Sequence, residues 1–265
     1  MTKETKLKKI SNYFSTYEKI WFFSILILAV FCTLFFPEDD FNGVNGRAIM
    51  ALYLADTVLN VACELLISKQ SKWNFIVSLG VELAEIGCCI VMAERWTTLA
   101  VTIFFWIPID IISFINWSRH PDAQEKELTE VRTLSGKQEV LVLLGIAVWT
   151  IAAGLITCYV TENIVISDFF AGSRDLEVLT CYLDAFASAL GIANGVFIWL
   201  RYREQWIAWY AYSLIELAIN IIAIVGGHPG QSVLLILKLG YLTNTTYGFI
   251  KWSKYINKEH PKSAQ

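Results

Sequence analysis

Eight runs of apolar residues, each close to the roughly 20 residues needed to cross a hydrocarbon core, dominate this 265-residue sequence. They fall at 20–36, 48–67, 73–93, 97–118, 139–160, 175–198, 205–226 and 230–253. Inside lipid no water bonds the backbone, so an isolated apolar run of this length must be a helix. The expectation is an all-α polytopic membrane protein with eight transmembrane helices, a class that the 55% hydrophobic content supports. A soluble α/β domain is excluded on the same ground. The formal net charge of −3 gives no basic footprint for nucleic acid.

Lys and Arg placement sets an expected orientation. Seventeen of the 21 basic residues lie in segments that are internal if the amino terminus is cytoplasmic; Arg47, Arg95 and Arg174 fall outside, and Lys238 lies within a span. By the positive-inside rule, both termini are expected in the cytoplasm, which an even number of spans allows. The apolar run after the basic amino terminus continues to Phe35 and Phe36 and meets Pro37 without a small-residue cleavage site. It reads as a retained helix rather than a signal peptide.

The spans repeat. "FINWSR" at 114–119 returns as "FIKWSK" at 249–254, and "VELAEI" at 81–86 resembles "IELAIN" at 215–220. The offsets stay nearly constant: 133 for Trp73 to Trp206, 134 for Glu82 to Glu216 and 135 for Trp117 to Trp252. Spans two to four and six to eight therefore read as duplicated three-helix units, made parallel by the single helix between them. The expected plan is a cytoplasmic segment 1–19, an extra helix 20–36, a first repeat 48–118, a cytoplasmic loop 119–138, a linker helix 139–160, a second repeat 175–253 and a tail 254–265. Repeats of this kind place a substrate site between the two bundles near mid-membrane.

Polar residues inside the spans are the candidates for that site. Trp206, Trp209, Ser213, Glu216 and Asn220 follow at helical spacing and share one face. A carboxylate at the bilayer centre costs at least roughly 2.5–3.5 kcal/mol on insertion scales, so Asp56, Glu64, Glu82, Glu85, Asp110, Asp184 and Glu216 must meet partners, water or a pathway. The stripe Asn74, Ser78, Glu82, Glu85 and Cys89 reads first as interhelical bonding. Lys238 either snorkels outward or pairs with a span carboxylate, and Tyr241 and Thr245 share its face. Asn60 and Asn194 occupy equivalent places in the first helices of the two repeats.

Catalytic and metal chemistry find little support. His120, His228 and His260 each precede a proline and read as turn punctuation. HExxH, GxSxG and metal-spaced Cys/His clusters are absent, and the six cysteines read as small apolar residues. No enzyme activity, metal or cofactor is expected. Lys238 raises one alternative, a retinal protein with Asp110 as counter-ion.

Three stretches, "WLRYREQWIAWYAYSLIELAI", "FFWIPIDIISFINW" and "KLGYLTNTTYGFIKW", resemble the Pnu family of bacterial vitamin transporters, best known for nicotinamide riboside uptake. The resemblance spans roughly residues 48–255. It implies a multi-pass protein of the bacterial inner membrane with the parallel repeats of the SWEET sugar transporters. It also implies a facilitator whose substrate is trapped by a phosphorylating cytosolic kinase. Trp206 and Trp209 match the family's paired tryptophans, and Pro108, Asn244, Gly248 and Trp252 its span-end pattern. Ser213 and Asp110 depart from it, standing where Asn and Gln are expected. Thiamine, riboflavin and deoxyribonucleosides thus stay as alternative substrates. A homo-oligomer stays open.

Overall fold

The computed structural model describes residues 14–69, 71–119, 132–164, 169–170 and 173–259. The basic terminus to residue 13, most of the 119–138 loop with His120, and the tail from His260 lie outside the described residues, as does the side chain of Trp252. Among the described residues, eight helices are long and apolar enough to cross a membrane. They are α1 (Thr16–Phe35), α2 (Gly46–Ser68), α3 (Asn74–Met92), α4 (Trp96–Ser118), α5 (Gly136–Asn163), α6 (Arg174–Leu200), α7 (Gln205–Val225) and α8 (Ser232–Glu259). A 3₁₀ turn, Pro229–Gln231, leads into α8. Each expected span lies on one helix, and α8 runs on past residue 253, where a tail is expected.

Local chemistry sets several of the helix starts. Ser15 and Glu18 form a reciprocal capping box at α1, and Ser135 and Gln138 do the same at α5. Asn45 accepts the Arg47 N–H at the start of α2. The start of α4 has no cap of its own and takes one from a distant helix. Asp184 of α6 accepts the backbone N–H groups of Thr97 and Thr98 at 3.0 and 3.2 Å, so a carboxylate meets the positive end of the α4 dipole. Six residues on, α4 widens into a π-helical turn, Thr102–Trp106, in which the Ile107 N–H reaches the Thr102 carbonyl.

Helices α2, α3 and α4 pack consecutively, as do α6, α7 and α8. The two triples meet where α8 lies along α2, and where α6 touches the first turns of α4. Helix α5 rests against α6 and the first turns of α4 and turns its remaining surface outward, with Leu141 and Val148 70% and 67% exposed. In a membrane that surface faces lipid. Helix α1 packs on α8 and α2 of its own chain. The Trp21 indole donates to the Gly240 carbonyl (3.2 Å) and the Thr243 hydroxyl (2.9 Å), while the fully buried Glu18 pairs with Lys69 at 2.8 Å.

The loops gather at two ends. At one, the Arg132 and Arg203 backbones pair across the chain and the Arg201 guanidinium lies 5.1 Å from the Trp117 ring. At the other, His228 ties three loops together. Its Nδ1 meets Glu38 and its Nε2 the Phe169 carbonyl, both at 2.7 Å, and its ring stacks on Phe169 at 3.8 Å. Beyond the turn expected there, His228 is thus a structural tie. All six cysteines are free.

Candidate functional site: an acidic cavity among the helices

A cavity of about 800 Å³, its mouth included, opens between α2, α3, α4, α6, α7 and α8. One wall is aromatic. On α7 the Trp209 and Tyr212 rings stack at 5.1 Å, and Trp209 meets Tyr241 of α8 at 5.3 Å. Trp106, within the widened turn of α4, also lines the cavity.

The remaining lining is strongly acidic. Asp56 and Glu64 come from α2, Glu82 and Glu85 from α3, and Asp110 from α4. Three of these are committed to the protein. Asp56 accepts Asn60 Nδ2 at 2.9 Å, Glu64 accepts Asn244 Nδ2 at 2.6 Å and Glu85 accepts the Thr102 hydroxyl at 2.8 Å. Asn60 in turn accepts the Tyr241 hydroxyl. Glu82 accepts only Ser78, at 3.3 Å.

One cation lines the cavity, and it is already paired. Lys238 Nζ lies 3.3 Å from Glu216 and within 5.2 Å of the Tyr212 and Tyr241 ring centres. Glu216 also binds Arg95, whose Nε reaches Asp184 at 3.3 Å. A chain of charge, Lys238–Glu216–Arg95–Asp184, therefore joins α8, α7, the α3–α4 junction and α6. Burial works against the Arg95 charge, but Glu216 and Asp184 more than offset it and raise its pKa.

The cavity is one of a series. Through Asp56, Glu85 and Lys238 it shares its wall with a second space of about 430 Å³ that reaches Arg95 and Gln231. Through Glu64 and Trp209 it adjoins a recess of about 170 Å³ bordered by Gln205 and Trp206. Polar space thus runs from one set of loops toward the other.

The site residues named from sequence separate into groups. Asn60, Asp110, Trp209, Lys238 and Tyr241 line the cavity. Trp206 and Asn194 border the recess instead; a Cβ at Gly248 would collide with the Trp206 ring, so this indole fills the gap that the glycine leaves. Asn244 stands behind Glu64. Ser213 and Asn220 bond the backbone of their own helix, to the Trp209 and Glu216 carbonyls, and Glu216 is consumed by its two cations. Thr245 is buried and lines none of these spaces. Lys238 turns inward to Glu216 and does not snorkel.

Sequence reasoning missed other residues. Tyr212, three after Trp209, and Trp106, four before Asp110, carried the helical spacing that would have found them. Arg95, counted among the outer-loop cations, is drawn into the protein by left-handed backbone at Ala93 and Arg95 (φ 50° and 59°).

Comparison with known proteins settles the family. Residues 50–254 match the model of the nicotinamide mononucleotide transporter family. The chain belongs to that family. The nicotinamide riboside transporter PnuC of Neisseria mucosa is 20% identical over 245 residues, which are 91% of this chain and 82% of that protein. PnuC of Haemophilus influenzae is 19% identical over 97% of this chain and 99% of its own length. The crystal structure of the vitamin B3 transporter PnuC superposes with a TM-score of 0.67 at 19% identity, covering 92% of this chain and 94% of that one. Membership makes this chain a multi-pass transporter and not an enzyme, and it removes the retinal alternative for Lys238.

Proposed function

We propose that this member of the family facilitates nicotinamide riboside uptake across a bacterial inner membrane. The observation that carries the reading is the pairing of an aromatic wall, Trp209–Tyr212–Tyr241, with an excess of carboxylates and no unpaired cation among the lining residues. Nicotinamide riboside is a flat cationic ring on a sugar. The ring stacks on an indole with cation–π attraction of about 0.5–2 kcal/mol, and the ribose hydroxyls need donors and acceptors such as Asn60 and Asn74.

Charge also chooses between the two names in the comparisons. The mononucleotide adds a phosphate, and Lys238, the lone cation lining the cavity, is held by Glu216. An anion entering among five carboxyl groups meets repulsion in a medium that screens poorly. The riboside is therefore the better ligand. Thiamine, whose thiazolium ring is also a flat heteroaromatic cation, gains the same attraction and is the second reading; uncharged riboflavin and deoxyribonucleosides do not.

In this proposal the carrier works as a uniporter, with a cytosolic kinase trapping the substrate. Both termini are cytoplasmic, and the consecutive packing of α2–α4 and of α6–α8 supports a parallel duplication around the linker α5. The test is calorimetric titration of the purified chain with nicotinamide riboside, its mononucleotide, thiamine, riboflavin and a deoxyribonucleoside. Saturable binding of the riboside, lost in Trp209→Ala, is the expected result; binding of the mononucleotide alone would overturn it.

A further inference from the structure

Glu82 and Asp110 stand apart among the five carboxylates that line the cavity. Both are buried, at 4% and 3% exposure, yet Glu82 Oε2 and Asp110 Oδ2 have no hydrogen-bond partner. Ser78 is the one side chain that bonds either of them, and they share it, whereas Asp56, Glu64 and Glu85 are bonded to Asn60, Asn244 and Thr102, and Asp184 and Glu216 share Arg95. Glu85 stands one turn from Glu82 on α3, and Lys238, the one ammonium lining the cavity, is committed to Glu216.

Unpartnered carboxylate oxygens this deeply buried cost free energy unless something donates to them. Here both line the same cavity, one from α3 and one from α4, with Trp106 on the same helix as Asp110. A ligand that donates hydrogen bonds here would satisfy both.

We propose that Glu82 and Asp110 form a hydrogen-bond-accepting subsite that takes an exocyclic amino or carboxamide N–H₂ group of a cationic heteroaromatic ligand. The inference rests on the proposed cationic substrate and adds the group by which that substrate is told from its analogues. On nicotinamide riboside the group is the carboxamide; on thiamine it is the aminopyrimidine amine. Nicotinic acid riboside, which carries a carboxylate where the carboxamide stands, is rejected, because it has no N–H to donate and adds a like charge.

The experiment titrates the full chain, and the near-isosteric variants Glu82→Gln and Asp110→Asn, with nicotinamide riboside, thiamine and nicotinic acid riboside. Ligand-free unfolding temperature is followed in parallel. The wild type should prefer nicotinamide riboside over nicotinic acid riboside, and each variant should cut that preference by on the order of tenfold or more, since hydrogen bonds to charged groups carry that much. Ligand-free variants should unfold no lower than the wild type, because they lose like charges while the amide oxygen can still accept from Ser78. Preference unchanged in both folded variants overturns the subsite. If thiamine binds and nicotinamide riboside does not, with thiamine binding sensitive to both variants, the substrate proposal fails and the subsite stands. If no cationic ligand binds the wild type, the subsite falls as well.

Discussion

Arg95 and Glu216 form an ion pair across 121 residues of sequence, deep between the α3–α4 junction and α7. Arg95 reaches only carboxylates and Thr98, and Glu216 only Arg95 and Lys238.

Removing the guanidinium leaves Glu216 with Lys238 alone and Asp184 with only Thr97 and Thr98 at the start of α4. Arg95→Met should therefore lower stability by about 3–5 kcal/mol, the usual cost of breaking a buried pair from one side. Thermal unfolding in detergent reads this directly; an unchanged midpoint would show that the network carries little.

Trp209 and Trp206, three residues apart, should behave differently. Trp209→Ala should weaken nicotinamide riboside binding by on the order of tenfold through lost stacking and cation–π attraction, and Trp209→Phe should restore part of it. For Trp206 the primary effect should be on stability. Calorimetry and unfolding on the same samples separate the two.

Gly248 makes the complementary case. Gly248→Ala drives a Cβ into the Trp206 ring and should cost about 1–3 kcal/mol, as overpacking does. Gly145, on α5, has open space where an alanine methyl would stand, so Gly145→Ala should be neutral or stabilising, by up to about 1 kcal/mol from helix propensity.

Stability should fall as pH rises, through two groups in the loops. Burial alone would lower the His228 pKa, but the Glu38 hydrogen bond, the Phe169 carbonyl and the Glu38 charge together hold it above the ordinary 6.5. Its contribution is complete below 6.5 and is lost as pH passes the raised value. Burial pushes the Glu94 carboxyl from 4.5 up to about 8, against the opposing pull of Arg95 and His228. Its penalty grows from pH 4.5 and is complete above about 8, the same direction. Unfolding midpoints measured from about pH 6 to 9 should decline, and His228→Gln together with Glu94→Gln should flatten the slope.

Uniport predicts flux of nicotinamide riboside into liposomes that does not respond to an imposed pH gradient. Flux that collapses when the gradient is dissipated would require one of the buried carboxylates to carry a proton.

The eight helices were legible because a membrane span is written as one unbroken apolar run, independent of what it packs against. The site was legible only in part. The stripe from Trp206 to Asn220 is a real helix face, but that face is wide: Trp209 meets the cavity, while Ser213 and Asn220 return to their own backbone. Asp184 was known to need a partner; that the partner is Arg95 depends on two left-handed residues that no periodicity announces. Glu82 was read as interhelical bonding, and its lone bond to Ser78 on its own helix leaves an oxygen free that only three-dimensional packing could reveal.

The widened turn at Thr102–Trp106 gives α4 a register of its own. Each residue turns an α-helix by about 100°. Deleting one residue within that turn would swing Asp110, Ser113 and Trp117 together through that angle, while Thr97 and Thr98 stayed under Asp184. One wall of the cavity would be exchanged without any change in its side chains. Two relatives with the same residues on α4 but a different count in this turn would thus offer a ligand different surroundings, and what such a carrier accepts is encoded in spacing as well as in residue type.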